Sequence, residues 1–245
     1  MYEYIVIAVA LFLGGTVQSI GGFGAMLIAV PLVTHVLPLQ TAVPLLATLG
    51  LPITLFIFIQ NRQSFEWREV ARIAVGSIAG IPLGLWILGH VDPPIIMRSL
   101  GALLLAYSVY ALFIEPRLLA APRVARESRT AYSLLVGMAA GTLGAAFNTS
   151  GPPLILYGDW LRWPREKFKV LVQGVFLTNG TLIIAGHFYV GNMTAAMLPD
   201  VAAAFPGILL GLWAGYHIDR HVNPDHFRKV VLTLLGLMGT SLILR

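Results

Sequence analysis

Residues 14–24 read Gly14-Gly15-Thr16-Val17-Gln18-Ser19-Ile20-Gly21-Gly22-Phe23-Gly24, inside an apolar stretch that runs from Tyr4 to Leu37. As one straight helix these 34 residues extend about 50 Å. The hydrocarbon core of a bilayer is roughly 30 Å thick, and two full crossings need about 40 residues plus a turn. The stretch is too long for one span and too short for two. Its glycines resolve the mismatch, because Gly21, Gly22 and Gly24 can take backbone angles closed to other residues. The segment therefore predicts two short helices meeting near Gln18 to Gly24.

The second half of the chain repeats the pattern. Gly137 to Gly151, leading to Pro152 and Pro153, echoes Gly14 to Gly24 leading to Pro31. Asn148, Gly151, Pro152 and Pro153 interrupt the helix there. Gly84-Leu85-Trp86 followed by His90-Val91-Asp92-Pro93 returns as Gly211-Leu212-Trp213 followed by His221-Val222-Asn223-Pro224. Two echoes in the same order indicate duplication. Residues 1–114 and 131–245 are read as two membrane repeats, joined by a linker over 115–130 rich in Pro, Ala and Arg.

Of the 245 residues 57% are apolar and 11% charged, against roughly 25% charged in soluble domains. Such a chain cannot make a water-facing surface, and its solvent is lipid. Backbone polar groups must pair within the protein there, so the spans are helices or a closed barrel. Ile95 to Ile114 and Val230 to Leu244 are apolar on every face, which favours helices over the alternation of a barrel strand. The apolar segments run over 4–37, 40–60, 70–89, 95–114, 131–158, 168–190, 198–217 and 227–244. The absence of cysteine removes disulfide and thiolate chemistry. The net charge of +5 comes from Lys and Arg in short connections, which is membrane-flanking charge rather than a nucleic-acid surface.

That charge also tests the topology. If every segment crosses once, the sixteen Lys and Arg divide eight against eight and carry no orientation signal. If segments one and five are hairpins, only Arg98 and Arg245 oppose the other fourteen. The positive-inside rule then places the 61–72, 115–129, 162–169 and 218–229 connections in the cytoplasm and both termini outside. The expected fold is an all-α integral membrane protein of two inverted-topology repeats, each a broken-helix hairpin plus three transmembrane helices. An odd number of crossings inverts the second half, as in many secondary transporters.

In that architecture substrate sits near the midplane, where broken helices expose their ends. Thr16, Gln18, Ser19, Gly21 and Gly22 lie at one tip; Thr142, Asn148, Thr149, Ser150 and Gly151 lie at the other. Neutral donors and helix N-termini suit a small anion without a buried cation, although Gly, Ser and Thr also serve close helix packing. Thr48, Gln173, Thr178 and Asn179 either line a pathway or make ordinary interhelical hydrogen bonds. His187 is read as a proton-coupling group or as a structural histidine near the interface. Asp159 anchors the connection that follows it. His90, His217, His221 and His226, with only the loosely placed Asp219 and Asp225 near them, do not make the histidine and carboxylate pattern of a zinc site, and no Walker loop, hydrolytic triad or paired intramembrane carboxylate is present. No metal and no cofactor is expected.

The stretch from Gly14 to Gly24 continuing to Val30-Pro31-Leu32, together with Gly144-Ala145-Ala146-Phe147-Asn148-Thr149-Ser150-Gly151-Pro152-Pro153 and Tyr157, resembles the two signatures of the sulfite exporter TauE/SafE family. The resemblance spans essentially the whole chain, and Phe23 departs from it by interrupting the glycine run. It implies a bacterial-type inner-membrane transporter of sulfite, sulfonates or related organosulfur anions. Three functions are weighed: a secondary anion transporter coupled to protons or membrane potential, a passive channel on the same scaffold, and a membrane-embedded enzyme. The last lacks the carboxylates or metal cluster it needs, and the first is adopted. The charge rule makes a direct prediction: alkaline phosphatase fused after Arg245 is active outside the cytoplasm, and a cytoplasmic C-terminus refutes the hairpin topology.

Overall fold

The computed structural model describes residues 2–61, 66–120, 128–219 and 223–244. Arg62, Arg123, Arg126, Arg220 and Arg245 of the charge distribution, His221 and Val222 of the recurring motif, and residues 121–127 of the linker fall outside them. The described residues form helices α1 (Tyr2–Gly21), α2 (Ala25–Val33), α3 (Leu39–Asn61), α4 (Trp67–His90), α5 (Pro93–Val109), α6 (Glu115–Ala120), α7 (Thr130–Phe147), α8 (Gly151–Trp160), α9 (Arg165–Tyr189), α10 (Leu198–Ile218) and α11 (Pro224–Leu244). A π-turn over Tyr110–Ile114 carries α5 into α6, and a short 3-10 turn, Ala195–Met197, precedes α10. The fold is all-α, with no strand among the described residues and eight helical segments long and apolar enough to cross a membrane. Leu209, Leu210 and Trp213, all exposed, belong to its apolar outer surface.

Both long segments break, but unevenly. α1 has 20 residues, about 30 Å and enough to cross alone, whereas α2 has nine residues, about half that reach. The second half repeats this with 18 residues in α7 and 10 in α8. The expected pair of short helices is thus one full-length helix and one half-length return. The reason is what each glycine does. Gly14 stays helical in α1, where a Cβ would lie 2.6 Å from the Ala25 carbonyl oxygen. At the break itself Gly22 (φ +79°) and Gly24 (φ +107°) take positive φ. In the second half Asn148 makes the turn at φ +55°, a conformation Asn tolerates. Gly151, Pro152 and Pro153 open α8, whose first turn loses nothing by lacking N–H groups.

The helices pair through glycine seams. A Cβ at Gly76, Gly80 or Gly84 of α4 would lie 2.1, 2.0 or 2.3 Å from the carbonyl oxygens of Leu134, Met138 and Thr142 of α7. Gly207, Gly211 and Gly215 of α10 meet Ala8, Phe12 and Thr16 of α1 at 2.2, 2.4 and 2.7 Å in the same sense. Both sets advance together along the two helices, so each pair is parallel. Small residues every fourth position let backbones touch where lipid supplies no hydrophobic drive. On α5 and α11, Gly101 meets Gly239 while Ser108 meets Gly236, so this pair runs antiparallel. α3 and α9 are antiparallel too: Leu51 touches Gly180, and Thr54 and Gln173 both reach Gln18.

Polar clamps hold the helix ends. The buried carboxylate of Glu69 on α4 accepts hydrogen bonds from Ser133 on α7 (2.8 Å), Tyr157 on α8 (2.9 Å) and Ser128 (2.9 Å), and pairs with Arg72 at 3.4 Å. Glu115, also buried, forms an ion pair with Arg228 of α11.

The seams predict opposite responses to one methyl group. Gly80→Ala drives a Cβ into backbone and costs about 2 kcal/mol, in the range of core overpacking. Gly89→Ala, on the same helix but in open space, leaves stability unchanged or slightly raised. Thermal unfolding in detergent measures both, and equal melting temperatures for the two variants contradict the seam.

Candidate functional site

Both helix breaks border one small cavity of about 60 Å³. From the first break come Gln18, Gly24, Met26 and Leu27; from the second come Asn148, Thr149, Ser150 and Gly151. α3 contributes Ala47, Gly50, Leu51 and Thr54, and α9 contributes Phe176, Gly180 and Ile183. The volume exceeds the ~10–15 Å³ that a single water requires. α2 and α8 begin at its edge, and neither N-cap residue, Gly24 or Ser150, caps its helix with its own side chain. The N-terminal ends of both half-helices, with their partial positive charge, therefore border the same cavity.

The two breaks treat their polar groups differently. At the first, the Gln18 side-chain oxygen accepts the Ala25 N–H at 3.3 Å, and its amide donates to Thr54 Oγ1 and Gln173 Oε1, both at 3.5 Å. Gln173 in turn donates its amide to the Gly22 carbonyl. Gln18 and Gln173 are buried, and together they replace the helical hydrogen bonds that the break removes. At the second break the turn itself supplies the bonds, Asn148 N to Gly144 O at 2.8 Å and Thr149 N to Leu143 O at 3.3 Å. The side chains are left over: Asn148 Nδ2 and Thr149 Oγ1 are buried without a partner among the described residues. A buried polar atom left unmatched costs about 1–3 kcal/mol, and these two sit at the wall of a cavity that can hold something to bond them.

Of the residues singled out in the sequence, the cavity gathers Gln18, Asn148, Thr149, Ser150 and Gly151, with Gln173 behind Gln18. The rest lie elsewhere. Thr16 bonds the carbonyls of Phe12 (2.8 Å) and Gly211 (3.2 Å) on the α1–α10 seam. Ser19 edges a separate depression with Gln60, Lys169, Tyr216 and Asp219, and its carbonyl accepts Lys169 Nζ at 3.2 Å. Gly21 lines a larger vestibule, and Gly22 enters the site only through its carbonyl. Thr48 and Thr178 bond back to Pro44 and Gly174 within their own helices. Asn179 is buried next to Gly180 with neither amide atom partnered among the described residues, and His187, near the end of α9, faces Asn192 through Nδ1 at 3.1 Å while its Nε2 has no partner among them. Asp159, at the end of α8, accepts Tyr110 OH at 3.4 Å. No group of metal-ligating side chains occurs among the described residues.

Sequence reasoning passed over Thr54 and the apolar wall of Met26, Gly50, Phe176 and Gly180. Thr54 carried one signal, a hydroxyl inside an apolar span two residues after Pro52. The glycines have a packing cause: a Cβ on Gly50 or Gly180 would meet Met26 Cε or Leu51 Cδ2, each at 2.9 Å.

A family model described as sulfite exporter TauE/SafE matches residues 6–242. A probable sulfite/organosulfonate exporter TauE of Cupriavidus necator is 26% identical over 234 residues, 93% of this chain and 88% of that protein. A probable inner membrane transporter protein TsaS of Comamonas testosteroni is 26% identical over 185 residues, 74% of each chain. No solved structure matches. With the match running across both helix breaks and nearly from end to end, the chain belongs to the sulfite exporter TauE/SafE family and is a membrane transporter.

Proposed function

We propose that this protein is a secondary transporter of small sulfur-containing anions, sulfite or sulfonates, in the inner membrane, and that substrate binds at the midplane cavity between the two helix breaks. The observation that carries this is the pair of unpartnered donors, Asn148 Nδ2 and Thr149 Oγ1, beside two helix N-termini. Hydrogen bonds to a charged acceptor are worth about 1.5–3 kcal/mol each, and an oxyanion has three oxygens to receive them. The first break spends its polar groups on its own backbone, so recognition falls mainly to the second. The names borne by the two relatives supply the sulfur chemistry.

The directions of packing support an inverted relation of the halves. Two halves of opposite orientation place equivalent helices antiparallel, as α3 with α9 and α5 with α11, and match the first helix of one half in parallel with the third span of the other, as α1 with α10 and α7 with α4. Eight simple crossings would have made α5 and α11 parallel. The cytoplasmic face then carries the basic connections, and both termini lie outside. Transport proceeds by gating of the two halves around the fixed cavity, driven by the proton gradient or the membrane potential.

Two substitutions of unchanged shape test the site. Asn148→Asp keeps the left-handed turn but puts a negative charge where the anion binds, and uptake of sulfite or a sulfonate by proteoliposomes falls to background. Thr149→Val removes one hydroxyl donor and raises KM about tenfold, the equivalent of roughly 1.4 kcal/mol. Parental kinetics in both variants, with parental thermal stability, removes the binding site from the second break.

A further inference from the structure

A second and larger cavity, about 310 Å³, lies beside the first. Its polar lining is Glu115, Asp159, Arg162 and Arg228, and its apolar lining includes Val17, Phe23, Ile155 and Phe168. Gly24 belongs to both cavities. Gln18 and Gly151 line the small one, while Val17 and Ile155 line the large one. The two chambers thus stand about one helical turn apart along α8.

Phe23 lines the larger cavity directly beside Gly24, the residue the two cavities share. It is the residue between Gly22 and Gly24, both at positive φ, so the aromatic ring is carried on a segment flanked by two glycines in left-handed conformations. Its ring packs edge-on against Tyr107 of α5 at 6.3 Å and against Phe168 of α9 at 6.4 Å, and Phe23 and Phe168 both line the vestibule. Beneath them the Tyr107 hydroxyl is buried with no partner among the described residues. The corresponding position of the second break is Thr149, a small polar residue that faces the central cavity. The two breaks therefore differ where a two-fold arrangement would make them alike. One offers a donor, the other a plug.

We propose that Phe23 is a gate between the central cavity and the charged vestibule, swung on the Gly22 and Gly24 hinges, so that an anion passes between the two only when this ring leaves Tyr107 and Phe168. The vestibule lies against Glu115, Arg162 and Arg228, where helices enter the basic connections. It is therefore the cytoplasmic chamber, a placement that rests on the orientation given under the proposed function.

The chain has no cysteine, which permits a direct test. Ala47→Cys places a single thiol on the central cavity, and an anionic, membrane-impermeant thiosulfonate is applied to inside-out or right-side-out vesicles. Adding Phe23→Ala raises the rate of modification at least tenfold in inside-out vesicles and leaves the right-side-out rate alone. Phe23→Val gives an intermediate rate and Phe23→Leu stays near the parent; the valine variant decides the matter if the alanine variant does not fold. Unchanged rates in variants that elute as the parent does in size-exclusion chromatography overturn the gate. Acceleration confined to right-side-out vesicles keeps the gate and overturns the assignment of faces instead. The readout needs no transport, so an error in the substrate class leaves it intact.

Discussion

Hydrocarbon offers no partner to a backbone N–H or carbonyl, and that constraint governs this protein. A helix can be interrupted inside the bilayer only if other protein groups take over its lost hydrogen bonds. Gln18 and Gln173 do so at the first interruption, reaching Ala25 N and the Gly22 carbonyl from two different helices. The second interruption closes on its own main chain through Gly144 and Leu143. Because the two repairs differ, the two breaks are chemically unequal. One is sewn shut by side-chain amides, and the other keeps Asn148 and Thr149 available.

Holding these breaks against each other is the work of the seams. α1 and α7 carry the breaks, and each is gripped along its length by a glycine face of a helix from the other half, α10 and α4 respectively. Backbone-to-backbone contact of this kind sets where each break lies in the bundle, so the half-helices beginning at Ala25 and Gly151 start from defined positions. The clamp at Glu69 extends the same logic to the far end of α8 through Tyr157. The π-turn at Tyr110–Ile114 brings Glu115 to Arg228 and so shapes the vestibule; such turns recur at functional places in helices.

Much of the architecture was legible in the residues. Segment lengths and hydropathy marked the spans, because the bilayer's thickness is a ruler that sequence can be held against. The breaks were visible in Gly22, Gly24 and Asn148-Thr149-Ser150, since few residues accept positive φ. Their unequal arms were not: nothing local shows that Gly14 and Gly15 remain helical, because that depends on what packs against them. The site was half legible. Asn148, Thr149, Ser150 and Gly151 stood out as helix-averse residues in an apolar run, while Thr16 looked the same and turned out to serve a seam. A hydroxyl's sequence context does not reveal which neighbour it meets.

By itself the sequence determined that the chain lives in lipid and that its long first and fifth segments are interrupted, properties set by transfer free energy and local backbone sterics. Only the tertiary structure decided that the two distant breaks share one cavity, that the first is satisfied by Gln173 from 151 positions along the chain, and that Phe23 faces a charged vestibule beside that cavity. Those outcomes depend on how helices from the two halves cross, and in a membrane that crossing is chosen by the fit of backbone against backbone, which no stretch of sequence contains alone.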